Sequence, residues 1–414
     1  MTRCIRCRCV LFFFRLIPSF FYKYYSELLG ALFQLSEFVC RTHPGSPHAN
    51  SQTAEIAPSD DRSVQQYLLD EGVQPHMIPL ADAGYGNTWA APMTELSVRE
   101  TAEIEHAWRD EEEDGWHGDH HFEGGMSRLI EALRPGLDIR LHQQVTAIDT
   151  SSTSGVRVHT RTAHPDVAPA DVRGAGRRPG WEGERVWEAA AVVVAVPVAI
   201  LQDADIRFVP PLPPPVESAI ASLGYASTAA KISVQFNEAF WRAKDPGLDV
   251  IVCSDCLIPE IAFDSPSCPP GQPGPLKGLC TAMGFLCHEK WAGKLTALPR
   301  EQALKGFIEQ LDAMFGNRAA SRAFTGVWAM QDWGSEPFVR GGYSFPATGQ
   351  RGADARKLLS SPAPLGNGRV LFAGEARAST LSSCSVALSL RFPGLIFVCF
   401  EPPDAAWQLP SPTC

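Results

Sequence analysis

Two charged residues stand at the ends of apolar segments, where a lone charge often has a chemical role. Glu375 follows the apolar segment Arg369 to Ala373 and Gly374, so an acceptor-only carboxylate lies beside a backbone position without a side chain. The hydroxyl or amide groups of a ligand could dock there. Lys231 opens the apolar segment KISVQF, where an ammonium group is costly unless it has a partner or meets water. A surface carboxylate and a lysine snorkelling at a strand end are the ordinary alternatives.

Two strand patterns of different kinds must position these charges. The segment Ala190 to Val196 is continuously apolar, which is typical of a strand buried on both faces of a layered α/β sheet, and Pro197 ends it. The segment 229–241, which contains Lys231, alternates as a half-exposed strand does. We therefore predict two sheets, and we expect the strand 369–373 to share the sheet of 190–196.

Helical patterns lie between these strands. In the segment 97–108, Ser97 is the expected N-cap and Glu100 completes a capping box. Periodic apolar residues or a glycine-led start predict further helices near Val64 to Leu69, at 124–133 and at 216–223.

The middle of the chain combines a strand with a polar segment. The segment 138–150 predicts a strand with four residues on or near its buried side: Ile139, Leu141, Val145 and Ile148. The segment 151–185 is rich in Gly, Arg and Pro, which predicts a long hairpin loop. Its GAGRRPG stretch follows no strand and opens no helix, so it is not a dinucleotide-binding loop.

Composition limits the class of protein. The chain has 414 residues, of which 45% are hydrophobic and 20% charged, as expected for a soluble protein with two domains. A net charge of −10 argues against nucleic-acid binding. The apolar run Val10 to Phe14 is broken by Arg15 and Pro18, too soon for a membrane-spanning helix, so a membrane role is not expected.

Cysteine spacing bears on compartment and metal binding. The 12 cysteines are irregularly spaced, which predicts a reducing, intracellular compartment, cytoplasmic or nuclear. A zinc site is an alternative class of function, and no metal is expected because the spacing after the CxxC is irregular. Its ligands would come from Cys253, Cys256, Cys280, Cys287 and His288.

Seven ordered segments resemble the flavin-containing amine oxidases, the family of polyamine oxidases, monoamine oxidases and lysine-specific histone demethylases. They cover roughly residues 64 to 378, and their number and order make the resemblance far more specific than any single motif. They read HHFEGGMSRLIEAL, LDIRLHQQVTAID, AVVVAVPVAIL, IRFVPPLPPPVESAIASLG, KISVQFNEAFW, WGSEPFVRGGYS and RVLFAGEA.

The resemblance implies roles for particular residues. It implies that Gly374 and Glu375 lie along FAD, with Glu375 accepting hydrogen bonds from its hydroxyls, and that the backbone of Val145 contacts the adenine side. Lys231 would face the flavin through a water and assist its reoxidation by oxygen. Tyr343 and Trp333 match aromatic positions near flavin and substrate, where ring faces suit a cationic amine.

The resemblance further implies an α/β fold of two interleaved domains. The expected FAD-binding parts are 121–209 and 366–378, and the expected substrate-domain parts are 51–120 and 210–365. Residues 1–50 and 379–414 are an atypical leader and tail. The implied reaction is FAD-dependent oxidation of the C–N bond of a small amine, a polyamine by preference, by oxygen with peroxide as product. Histone lysine demethylation is the alternative within the family.

Two elements of the family pattern are missing. The sequence contains no strand-GxGxxG-helix to hold the FAD diphosphate, and residues 379–414 do not read as the segment that covers the flavin. We therefore expect weak FAD binding, with an inactive truncated remnant or a gene-model fragment as the alternative. We also expect the strand 190–196 to lose a neighbour and form an exposed sheet edge, open to a partner or to aggregation.

Overall fold

The computed structural model describes most of the chain between residues 61 and 375. The described ranges are 61–102, 104, 127–163, 181–244, 247–264, 277–349, 355–356, 358–359 and 368–375, with the backbone of 395–399. Within these ranges, no helix is long and apolar enough to cross a membrane.

The helices are short apart from one. They are α1 (Val64–Asp70), α2 (Ile78–Ala81), α3 (Ser127–Leu133), α4 (Val198–Gln202), α5 (Pro214–Ser222), α6 (Lys294–Thr296), α7 (Arg300–Phe315) and α8 (Ala319–Ala323). Tighter or wider helical turns cover Pro75–Met77, Asp82–Gly86, Phe240–Ala243 and Glu289–Gly293. Residues 98–102 and 104 are also helical.

Fourteen strands lie in the described ranges. They are β1 (Gln143–Asp149), β2 (Val156–Ala163), β3 (Trp181–Ala189), β4 (Ala191–Ala195), β5 (Arg207–Val209), β6 (Gly224–Tyr225), β7 (Ala229–Glu238), β8 (Val250–Val252), β9 (Glu260–Asp264), β10 (Lys277–Cys287), β11 (Phe324–Asp332), β12 (Ser344–Phe345), β13 (Val370–Phe372) and β14 (Leu395–Cys399). They form four sheets, in the orders β3-β2-β1-β5, β11-β7-β10-β9-β8, β12-β6 and β13-β4-β14. The predicted mixed α/β class is confirmed.

The buried strand lies at the centre of its sheet. β4 pairs in parallel with β13 on one side and β14 on the other. Val192, Val193 and Val194 are at most 1% exposed, as expected for a strand covered on both faces. The predicted exposed edge at 190–196 is therefore wrong, because β4 has a strand neighbour on each side. Among the described strands, the outer positions of this sheet belong to β13 and β14.

The alternating strand β7 lies in the five-stranded antiparallel sheet. Ile232, Val234 and Phe236 are fully buried, while the residues between them face the other side and are half-buried. Side chains from α7, including Phe307, cover the buried face. Lys231 consequently lies on the opposite, more open face.

A second core joins the smaller sheets. Ile148 of β1, Val194 of β4 and Phe372 of β13 pack in one buried cluster. Ile220 of α5 packs there too, although the expected boundary assigns α5 to the substrate domain. The domain boundaries stay a prediction.

Two strand predictions in the middle of the chain need correction. Ile139 and Leu141 are 41% and 49% exposed and precede β1, because His142 has a φ of 57° and interrupts the extended backbone. Part of the expected loop 151–185 is instead the antiparallel hairpin of β2 and β3. These strands are polar because only one face is covered, through residues such as Val156 and Val158. The GAGRRPG stretch lies outside the described residues.

The predicted capping box is half formed. The backbone N–H of Glu100 donates to Ser97 Oγ at 3.4 Å, which is the first half. The N–H of Ser97 instead donates to the carbonyl of Pro346 at 2.8 Å, and the Glu100 carboxylate contacts Arg99 and Arg356. The helix start is thereby tied to a segment close to β12.

Ser63 caps α1 and offers a test of this assignment. Its Oγ accepts from the N–H of Gln66 at 3.1 Å. We expect Ser63→Ala to lower the free energy of unfolding by about 1 kcal/mol, because one N–H at the helix start loses its partner. Ser63→Asp, which retains an acceptor, should lose far less. Urea unfolding of both variants tests this, and equal losses would contradict the cap.

Candidate functional site

A row of side chains crosses the open face of the five-stranded sheet. Lys231 on β7 pairs with Phe285 on β10 and with Gln331 on β11. Phe285 in turn pairs with Glu260 on β9. Paired residues share one face of a sheet, so all four side chains point the same way. Lys231 Nζ lies 5.4 Å from the centre of the Phe285 ring, a favourable cation–π distance.

Glu260 is the acidic member of this row. Its Oε2 accepts hydrogen bonds from Asn87 Nδ2 at 3.0 Å and from Thr88 Oγ1 at 3.5 Å. Burial raises the pKa of Glu260, while these two hydrogen bonds and the charge of Lys231 act in the opposite direction. Oε2 is thus held by two donors, whereas Oε1 has no donor among the described residues.

Asn87 fixes the row through hydrogen bonds to Glu260 and to the backbone of β10. It is fully buried, and its Nδ2 also donates to the carbonyl of Phe285 at 3.1 Å. Its Oδ1 accepts from the N–H of Cys287 at 2.7 Å. One side chain therefore fixes Glu260 and two backbone groups of β10.

Sequence reasoning missed both Asn87 and Glu260. Glu260 had a usable signal, since it is a charge at the start of the alternating segment EIAFD, as Lys231 is in KISVQF. Asn87 had none, because Glu260 lies 173 residues further along the chain.

Tyr343 and Trp333 lie beside the row. Both pack against a small buried cluster that includes Ala229 and Cys287. Tyr343 also donates its hydroxyl to the carbonyl of Thr88. Burial raises the pKa of Tyr343 well above its usual value, and the negative charges nearby, including Glu260, act in the same direction. The phenol is therefore neutral and serves as a donor.

The predicted glycine-rich turn places Tyr343. Gly341 has a φ of 148°, and a Cβ there would lie 1.9 Å from the carbonyl oxygen of Ala226. The N–H of Gly342 donates to that same oxygen at 2.8 Å. Only a residue without a side chain permits this approach, which brings the turn against the start of β7.

Gly374 and Glu375 stand at the carboxyl end of β13. Gly374 has a φ of 104°, and a Cβ there would find its nearest neighbour, the Ala195 oxygen, only at 3.9 Å. A side chain at this position would be in ordinary contact with Ala195, while the positive φ favours glycine. Glu375 accepts from the N–H of Ser344 at 3.0 Å and from Ser344 Oγ at 2.7 Å. Since Ser344 follows Tyr343, this carboxylate is tied to the aromatic part of the site.

The structure brings five of the six predicted residues into one neighbourhood. Lys231, Tyr343 and Trp333 are joined through Phe285 and Cys287, and Gly374 and Glu375 through Ser344. Val145 lies apart on β1, half-buried against the core of β4 and β13. The cofactor and substrate roles of all six remain predictions.

The strand ends suit the hydroxyl-bearing part of a flavin cofactor. Gly374 has no side chain to keep a ligand away from the backbone, and a carboxylate such as Glu375 has lone pairs beyond those that Ser344 uses. The sequence contains no GxGxxG, the motif that holds the diphosphate of a dinucleotide. The described strand ends therefore suit the hydroxyl-bearing part of a flavin cofactor.

The five residues of the zinc alternative are not grouped in the structure. Cys253 and Cys256 form a disulfide, which is also an exception to the prediction of reduced thiols. Cys280 and Cys287 pair with Phe236 and Ala229 and lie seven positions apart along β10, about 23 Å at the rise of a strand. In the described part of the chain, no three His, Cys, Asp or Glu residues are grouped to hold a metal.

Comparison of the sequence with known proteins points to a flavin cofactor as well. Residues 50–389 match the family described as flavin-containing amine oxidoreductase. Human lysine-specific histone demethylase 2 is 30% identical over 257 residues, 61% of this chain and 27% of that protein. Human peroxisomal N(1)-acetyl-spermine/spermidine oxidase is 29% identical over 228 residues, 49% of this chain and 40% of that protein. The chain thus spans less than half the length of these relatives.

Solved structures show the same fold. Putrescine oxidase bound to putrescine superposes with a TM-score of 0.59 at 18% identity, covering 87% of this chain and 73% of the other. Cyclohexylamine oxidase from Brevibacterium oxydans IH-35A gives a TM-score of 0.57 at 19% identity, covering 89% and 72%.

Proposed function

Because this chain belongs to the flavin-containing amine oxidoreductases, we propose that it oxidises the C–N bond of a small amine, with FAD as cofactor and oxygen as electron acceptor. Peroxide is then the second product. The observation that carries the proposal is the row in which Lys231 and Glu260 flank the Phe285 ring, with Tyr343 beside it. It combines a fixed cation with an aromatic and acidic surface for an ammonium-bearing substrate.

The cofactor supplies the redox chemistry, by accepting a hydride equivalent from the carbon next to the amine. Glu375 would accept hydrogen bonds from the hydroxyls of FAD, Gly374 would allow its close approach, and the backbone of Val145 would hold its adenine side. Lys231 holds a positive charge where oxygen gains electrons. Tyr343 and Trp333 orient the amine and exclude water from it.

A polyamine is the substrate class that the charges favour. Oε1 of Glu260, which has no donor among the described residues, would accept from a second ammonium group while Oε2 stays fixed by Asn87. Two of the similar proteins bear on this choice, since one is an N(1)-acetyl-spermine/spermidine oxidase and another holds putrescine. Histone lysine demethylation is the second candidate, favoured by the similarity to human lysine-specific histone demethylase 2.

The first experiment is the visible spectrum of the purified chain after addition of FAD, followed by a peroxide assay. Because the sequence has no GxGxxG, we expect a weak flavin spectrum and little peroxide, with spermine or putrescine oxidised in preference to a methylated lysine peptide. Preference for the peptide would support the demethylase. A chain that retains no flavin would instead support the inactive remnant, in line with the missing GxGxxG.

A substitution at Glu260 tests the substrate class. We expect Glu260→Gln to reduce kcat/KM for putrescine about tenfold while leaving that for a monoamine of equal length nearly unchanged, because one charge-assisted hydrogen bond is lost. Asp264→Asn, at the exposed end of the same strand, is the matched control. An equal loss for both amines would contradict a role in diamine recognition.

A further inference from the structure

A buried chain of polar groups leads from the helix at 98–102 to Glu375. Arg356 and Glu100 are 4% and 2% exposed, and Arg356 Nη1 lies 3.7 Å from Glu100 Oε2. Arg356 Nη2 donates to Ser344 Oγ at 3.4 Å. Ser344 Oγ in turn donates its single proton to Glu375 Oε2 at 2.7 Å. The guanidinium therefore reaches the cofactor-side carboxylate through one hydroxyl.

We propose that Arg356 is a positioning residue for Glu375: it orients Ser344 and supplies the positive charge that keeps the Glu375 carboxylate ionised and able to accept hydrogen bonds. The consequence for cofactor binding rests on the proposed function. The link between Arg356 and Glu375 does not.

The geometry favours this role over that of a structural ion pair. A stabilising Arg–carboxylate pair usually has two short parallel hydrogen bonds. Arg356 instead has one longer contact with Glu100, and its buried Nε has no hydrogen-bond partner within the described ranges. Arg356 lies between two buried carboxylates: it is 3.7 Å from Glu100, which Arg99 also contacts at 3.4 Å, and it reaches Glu375 through Ser344.

Burial disfavours the ionised form of Glu375, so the positive charge of Arg356 should have a measurable effect on the ionisation of this carboxyl group. Burial raises the pKa of Glu375, and the hydrogen bonds from Ser344 and the charge of Arg356 oppose that shift. The other titratable groups that face it, Tyr225 and Tyr343, have pKa values raised by burial and stay neutral. Arg356 is therefore the cation that acts on Glu375 among these groups.

A double-mutant cycle on the full chain tests the link without any cofactor. The variants are Arg356→Met, Glu375→Gln and both together, and the measured quantity is the folding equilibrium constant from urea unfolding at neutral pH. We expect Arg356→Met to reduce this constant at least about tenfold more when Glu375 is present than in the Glu375→Gln background. The loss of compensation for Glu100 occurs in both backgrounds and cancels.

The pH dependence gives an independent readout. Without Arg356 the pKa of Glu375 rises further, so the penalty of Arg356→Met is full while Glu375 is ionised and shrinks as the pH falls and Glu375 becomes protonated. In the Glu375→Gln background this part of the pH dependence should disappear. Arg356→Lys, which keeps the charge, should restore most of the coupling. If Arg356→Met does not fold, Arg356→Gln replaces it in the cycle.

Arg157, which pairs with the half-buried Asp149 at 2.6 Å, provides the control. Arg157→Met and Glu375→Gln should be additive. Additivity of Arg356→Met and Glu375→Gln would overturn the proposal. Fluorescence titration with FAD distinguishes the positioning role of Arg356 from the cofactor role of Glu375. Coupling between the two residues without any FAD binding would reject the cofactor role and leave the positioning role intact.

Discussion

Replacing Lys231 by Met should slow the reoxidation of the flavin by oxygen about a hundredfold, with a much smaller effect on its reduction by the amine. The reason is electrostatic, since a positive charge fixed on the sheet stabilises the negative charge that develops as oxygen accepts electrons. Reduction by the amine develops no such charge on oxygen. Stopped-flow measurement of the two half-reactions gives both rates. If the chain does not retain FAD, the measurement uses a version to which a dinucleotide-binding segment has been added.

Lys290 is the matched control for this substitution. Its ammonium pairs with Asp82 at 2.6 Å and lies 4.6 Å from the centre of the Trp291 ring. Lys290→Met should leave both half-reactions nearly unchanged. Equal slowing of reduction and reoxidation by Lys231→Met would show that Lys231 holds the site together and does not act on oxygen.

Replacing Asn87 by Ala should lower the free energy of unfolding by about 4 kcal/mol, because several buried groups lose their partners at once. The N–H of Cys287 and the carbonyl of Phe285 both lose a hydrogen bond, and Glu260 loses its closer donor. Urea unfolding measures the loss. We also expect weaker discrimination between diamines and monoamines, since Glu260 is no longer held in one orientation.

Thr88→Val separates these contributions. It removes only the longer, 3.5 Å hydrogen bond to the same Glu260 oxygen, and Thr88 is exposed. A loss below about 1 kcal/mol is expected. If Asn87→Ala cost no more than Thr88→Val, the buried amide would not be the element that fixes the row.

Features that depend on residues close together in the sequence were predicted correctly, namely the burial pattern of strands and a helix cap. The apolar run 190–196 predicted a strand covered on both faces, and the alternation at 229–241 predicted the half-open face on which Lys231 lies. Ser97 was identified as an N-cap because its partner is only three residues away. The order of the seven family segments identified the family, and five of the six candidate residues lie in one neighbourhood.

Pairing between distant segments decided the rest. The row of Lys231, Phe285 and Glu260 exists only because β7, β10 and β9 are neighbours in that register, which a period of two does not specify. The same limit explains why the predicted exposed edge at β4 is wrong, since the side chains of a strand do not specify which strands pair with it.

The buried polar residues show this limit most clearly. The sequence around Asn87 and Arg356 does not distinguish them from exposed polar residues. Both are buried in the structure, where they bond to partners elsewhere in the chain. The sequence by itself determined the family, the strand types and the two charges at the ends of apolar segments, Lys231 and Glu375. Only the tertiary structure decided which buried groups satisfy one another, because a hydrogen bond depends on distance in space and not on separation along the chain.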